Sequence, residues 1–164
     1  SVRLEGLPGG VLWLFGPGLT VNRRFGRLTF SAQVGVDFGS FDALHHRVRE
    51  MDLRSELLLG AWFQLRRSTV FLRAGPRVVV FRQHAQRFDA ERVEGLGVVT
   101  EETLWSTAIG GVASLGLNVP LVEGLALSFW ITGSVAARIV IDGDENGWGV
   151  VPGGSLSVAF SWSP

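Results

Sequence analysis

Cysteine, lysine and tyrosine are all missing from this 164-residue chain. Without cysteine there is no disulfide framework and no thiolate metal site. All 15 basic residues are arginine, a usage that fits a GC-rich bacterial genome. Charge is scarce as well: charged residues make up 18 % of the chain, and 15 acids balance 15 bases. A net charge of zero directs the chain toward neither nucleic acid nor an acidic substrate. No run of 18 uninterrupted apolar residues supplies an obvious spanning helix, although 46 % of the residues are hydrophobic. The length suits a single domain, residues 1–164. No signal-peptide pattern opens the sequence at Ser1, as expected of a mature chain or of a domain within a longer one.

What the chain does have is alternation. In Leu28–Phe38 the residues Leu28, Phe30, Ala32, Val34, Val36 and Phe38 share one parity, opposite Thr29, Ser31, Gln33, Gly35 and Asp37. A period of two means a pleated strand with one apolar and one polar face. The pattern recurs in Met51–Leu65, Thr69–Arg82, Val98–Val119, Leu125–Ile141 and Val150–Trp162. Val2–Phe15 and Leu19–Phe25 complete a set of eight strands, with a type II turn expected at Gly16-Pro17-Gly18. Pro76 predicts a bulge or an unpaired position inside the fifth strand. Short turns are expected at 26–27, 66–68 and 120–124, and polar loops at 39–50, 83–97 and 142–149. The polar loops then share one end of an up-and-down barrel and both chain termini share the other.

The second parity decides what such a barrel is immersed in. A soluble barrel of the lipocalin type spreads Lys, Glu and Asp over its outer face. Here the sixth strand offers Leu104, Ser106, Ala108, Gly110, Val112, Ser114, Gly116 and Asn118, with no charge. Small residues suit the narrow interior of eight strands, which leaves the bulky apolar parity for lipid. A helical membrane protein is the third option. Against it, Ser128, Trp130, Thr132, Ser134 and Arg138 are all even-numbered, a spacing of two rather than 3.6. The expected fold is an eight-stranded antiparallel up-and-down transmembrane β-barrel.

This strand plan, from about Leu28 to Trp162, resembles the small eight-stranded bacterial outer-membrane barrels of the OmpA-transmembrane-domain and OmpX-like group. The closing stretch Ser155-Leu-Ser-Val-Ala-Phe-Ser-Trp162 is similar to the C-terminal signal read by barrel-assembly machinery, except that Ser163 and Pro164 follow the aromatic residue. Trp13, Trp105, Trp148 and Trp162 stand where that group often uses tyrosine in its interfacial girdles. The resemblance implies a bacterial outer-membrane location with membrane lipid as the surrounding partner.

Candidate chemistry is sparse. Asp142-Gly-Asp144-Glu-Asn146-Gly147 matches the opening of a calcium loop, so Asp142, Asp144 and Asn146 are the weak metal candidates. The bidentate glutamate expected at the twelfth position is replaced by Gly153, and an acidic strand connection explains the stretch equally well. His45, His46 and His84 lie in loops with no fixed carboxylate spacing. A lipid-modifying enzyme needs His beside Ser with an orienting carboxylate, and no strand provides that pair; Ser40, Asp42, His45 and His46 meet only through loop folding. Asp37, Arg54, Glu56, Arg73, Arg77 and Arg138 fall on the interior parity and form the expected polar network of the lumen. With four arginines to two acids in that set, an anionic guest or further acids such as Glu5 are left as complements. The expected function is a non-enzymatic, cofactor-free outer-membrane anchor or scaffold that displays polar loops, with an envelope protein as partner and no nucleic acid. A narrow channel and a lipid-modifying enzyme are the alternatives.

Overall fold

The computed structural model describes residues 2–7, 10–43, 46–88, 100–140 and 148–162. They form nine strand segments: β1 (Val2–Leu7), β2 (Gly10–Phe15), β3 (Gly18–Phe25), β4 (Leu28–Ala43), β5 (His46–Leu65), β6 (Ser68–Arg87), β7 (Glu101–Val122), β8 (Leu125–Val140) and β9 (Trp148–Trp162). From β3 to β9 every strand pairs antiparallel with the next, an uninterrupted meander. β1 pairs with β2 along one edge and with β9 along the other.

The expected turn at Gly16-Pro17-Gly18 is absent. β2 meets β4 through Leu14↔Gly39 and Phe15↔Phe38, and β3 resumes the same register at Gly18↔Gly35. The chain therefore runs straight through Gly16-Pro17. Pro17 has no N–H to donate, but its carbonyl accepts from the Val36 N–H at 3.1 Å. A Cβ at Gly16 would stand 1.7 Å from the Val36 carbonyl oxygen, so only glycine permits this approach. β1 and β2 are the antiparallel neighbours instead, and residues 8–9 between them lie outside the described residues. With β2 and β3 counted as one interrupted strand, eight antiparallel strands run up and down in one strongly curled sheet.

The expected loop at 39–50 is largely strand, and the one at 83–97 begins as strand before residues 89–97, which lie outside the described residues. Residues 39–43 and 46–50 pair with each other as far as Ala43↔His46, and 83–86 pair with 101–104. Their polarity reports the surroundings of the side chains, while the backbone ladder continues past the apolar zone. The third expected loop, at 142–149, overlaps residues 141–147, which lie outside the described residues. β7 runs through Pro120 with an irregularity between Pro120 and Val122, and the turn is only Glu123-Gly124. At Pro76 the pairing with β5 lapses between Glu56↔Arg77 and Leu59↔Ala74 and resumes in unchanged register. The expected unpaired position is present, without an inserted residue.

Burial follows the sequence parity and inverts the usual order. Leu59, Leu72, Ile109, Ile131 and Phe160 face outward, whereas Ser31, Asp37, Asp52, Glu56, Arg77 and Ser157 are buried on the inner face. Among the described residues 29 large hydrophobic side chains are exposed and only eight apolar residues are buried. A water-soluble domain places most of its large apolar residues the other way round. Among the described residues an apolar cluster inside joins Val79, Phe81, Ala108 and Ala136.

Candidate functional site

The inner face of the curl is built around charge. Asp37 on β4 lies directly across from Asp52 on β5, and neither is exposed to solvent. Arg54, two residues along, faces Gly35 across the same ladder. A Cβ at Gly35 would come within 2.7 Å of Arg54 Nη2, so the glycine clears the space through which the guanidinium reaches. Arg54 Nη2 stands 3.7 Å from Asp37 Oδ2 and its Nε 3.8 Å from Glu56 Oε1. Arg77 on β6 approaches the same Glu56 oxygen at 3.6 Å. These are ion contacts rather than tight hydrogen bonds, and in a buried setting their attraction is weakly screened.

Neutral groups extend the network around the curl. Gln33, with its amide turned to suit its neighbours, donates to Glu56 Oε2 at 3.1 Å and accepts from Arg73 Nη2 at 3.3 Å. Arg73 Nη1 reaches Asn22 Oδ1 at 3.2 Å and Ser31 Oγ at 3.1 Å. Its guanidinium also lies 4.3 Å from the centre of the Phe71 ring, a cation–π distance. The Phe71 ring in turn fills the space above Gly116, where a Cβ would stand 2.1 Å from it. Arg77 Nη1 donates to Ser134 at 2.8 Å, tying β6 to β8. Arg138 Nε donates to Ser106 at 2.8 Å and stacks 4.4 Å from the Phe81 ring.

Asp37, Arg54, Glu56 and Arg77 thus meet in one cluster, Arg73 joins it through Gln33, and Arg138 stands apart beside Ser106. Glu50, read from its polar neighbours as loop, is a buried strand residue that accepts from Gln83. Asp52 is buried too. Among the described residues, four inner carboxylates (Asp37, Glu50, Asp52, Glu56) match four guanidiniums (Arg54, Arg73, Arg77, Arg138). The apparent arginine excess, and with it the case for an anion inside this cluster, disappears. Continuing the inner parity of β5 from Arg54 back through Asp52 to Glu50 is the signal that could have found them.

The other candidates do not converge. Asp42 makes an exposed ion pair with Arg47 at 3.1 Å, and His84 Nδ1 meets Thr103 Oγ1 at 3.1 Å. Among the described residues no three His, Asp or Glu side chains gather at one point. His45, Asp142, Asp144 and Asn146 lie outside the described residues. Trp105 is exposed at the outer face, while the side chains of Trp13, Trp148 and Trp162 lie outside the described ones.

A cavity of about 1000 Å3 opens at the short-turn end. Arg54 and Arg73 form its floor, and Trp62, Trp130, Arg24 and Arg67 stand around it. Consecutive residues Gly18–Asn22 of β3 and Ser157–Ser161 of β9 also line it, so it reaches the sheet edges. Among the described residues β3 pairs only with β4, and Ser157–Trp162 pair only with β8. The chain matches no family model, no curated protein and no solved structure. The geometry alone carries the functional reading.

Proposed function

We propose that the chain is an integral outer-membrane β-barrel that acts as an anchor or scaffold and displays its polar loop end outside the cell. The observation that carries this reading is the inversion of burial: bulky apolar residues outside, paired charges inside. In water the outer face is costly, because each fully exposed Leu or Phe forgoes about 1.5–3 kcal/mol available from burial. Hydrocarbon removes that cost without any partner protein. The pairing circuit supports closure, since β1 bridges β9 and β2 while β2 continues onto β4. Closure matters in a bilayer, where an unpaired backbone edge has no water to turn to. Strands of 15 to 22 residues, such as β9 and β7, exceed the 9–11 residues or so that a tilted transmembrane strand needs. The excess at the loop end is polar, as in Asp42, Arg47, Glu101 and Glu102.

The scaffold reading is preferred to a channel because Arg54, Glu56, Gln33, Arg73 and Arg77 fill the middle of the curl with side chains that hold one another. It is preferred to a lipid-modifying enzyme because Asp42, the carboxylate that would orient a histidine beside Ser40, is paired instead with Arg47. The test is refolding from urea into detergent micelles. A sheet-rich species whose electrophoretic mobility changes on boiling supports the proposal; a monodisperse folded protein in detergent-free buffer overturns it. Planar-bilayer recording then tests the absence of conductance, and lipid-A analysis after expression tests the absence of lipid chemistry.

A further inference from the structure

The described residues of the short-turn end carry arginine almost to the exclusion of acid. Arg23, Arg24, Arg27, Arg66 and Arg67 are all exposed there, and Glu123 is the one carboxylate at those turns. None of the five arginines has an ion pair among the described residues. The turn that holds Arg27 is pinned to β5, four residues before the turn that holds Arg66 and Arg67: Trp62 N–H donates to the Arg27 carbonyl at 3.1 Å, and Trp62 Nε1 donates to the Gly26 carbonyl at 2.8 Å. Arg24 lies over the Trp62 ring at 5.1 Å and Arg23 over the Phe25 ring at 5.2 Å. Arg23 shares the outward parity of Leu19, Val21 and Phe25, so its charge stands between exposed apolar side chains of β3, close to the turn. The opposite end is mixed, with Asp42, Glu101 and Glu102 among Arg47, Arg49, Arg82 and Arg87. The described lining of the cavity at the short-turn end contains arginines and no carboxylate.

We infer that this arginine collar is a binding site for the headgroups of anionic phospholipids in the leaflet at the short-turn end. The inference rests on the membrane reading above. Guanidiniums form paired hydrogen bonds with phosphate oxygens, and the Phe25 ring holds the Arg23 guanidinium on the outer face. A free acidic protein would satisfy the charge but not the setting of Arg23 between the exposed apolar Val21 and Phe25.

The experiment is electron spin resonance of the protein in phosphatidylcholine bilayers containing spin-labelled phosphatidylglycerol or spin-labelled phosphatidylcholine. The motionally restricted fraction reports lipid at the protein surface. The collar predicts a preference for phosphatidylglycerol of at least about fivefold, the factor one arginine is worth at an anionic surface. Arg23→Gln, Arg24→Gln, Arg27→Gln, Arg66→Gln and Arg67→Gln combined should bring the ratio close to one, with sheet content unchanged. Arg47→Gln with Arg49→Gln, at the other end, should leave it intact. Equal restriction of both lipids, or a preference that survives the five substitutions, overturns the collar. Loss of the preference on adding soluble glycerol phosphate shows a site for free phosphate and overturns the lipid assignment. No restricted lipid of either kind means that the membrane reading itself fails.

Discussion

Glu56 is the joint of the interior network, and its removal tests the interior most severely. The residue is 4 % exposed, and its side chain meets Arg54 at 3.8 Å, Arg77 at 3.6 Å and Gln33 at 3.1 Å. Glu56→Ala leaves two buried guanidiniums without that carboxylate. Breaking a buried pair from one side typically costs about 3–5 kcal/mol. Arg54 retains Asp37 at 3.7 Å and Arg77 retains Ser134 at 2.8 Å, which places the expected loss at the lower end, about 3 kcal/mol. Adding Arg77→Ala removes one of the stranded charges and should recover part of the loss, with a coupling of about 1 kcal/mol or more. Arg73→Ala should recover less, because Arg73 reaches Glu56 through Gln33. Equilibrium urea unfolding in lipid vesicles, read by tryptophan fluorescence, supplies all four corners of the cycle. Additive losses, or a Glu56→Ala cost below about 1 kcal/mol, would mean that the carboxylate is solvated and the interior is not a closed salt-bridged plug.

Three further outcomes follow from named contacts. Leu59→Arg, at a position 67 % exposed on the outer face, should cost about 2–4 kcal/mol in a bilayer if it lies near the midplane, and no second substitution on the inner face should rescue it; the same unfolding assay checks both points. Gly60→Ala sets a methyl 2.0 Å from the Leu72 carbonyl oxygen, so the β5–β6 ladder must shift at a cost of about 1–3 kcal/mol, visible as a lower urea midpoint. Gly124→Ala, at a backbone φ of 76°, should cost about 1 kcal/mol through left-handed strain alone and leave the interior network untouched, so its loss should add to that of Glu56→Ala.

The outward and inward faces were legible in the sequence because strand parity is a local property: from Leu28 onward each residue's side follows from counting by twos. The same count placed Asp37, Arg54, Glu56 and Arg77 together. It failed at Gly16-Pro17, where turn-forming residues lie in a continuing strand because β4 offers a ladder on which the chain can carry on. It also failed for Glu50, where polarity suggested a loop although the backbone stays paired out to Ala43↔His46. Phe71, Val79 and Phe81 show a third limit, since apolar residues on the polar parity are placed by what they pack on, here Gly116, Ala108 and Ala136. Gln33 and Asn22 join the network through distances that no spacing along one strand encodes.

The central claim is that the apolar face meets lipid and the charged face does not. Spin labels placed singly at positions 59 and 56, on opposite faces of β5, test it in the refolded protein in bilayers. Molecular oxygen concentrates in hydrocarbon, so its collisions report lipid contact. The account predicts far greater oxygen access at 59 than at 56. Equal access at the two positions, or greater access at 56, would contradict it and turn the sheet inside out.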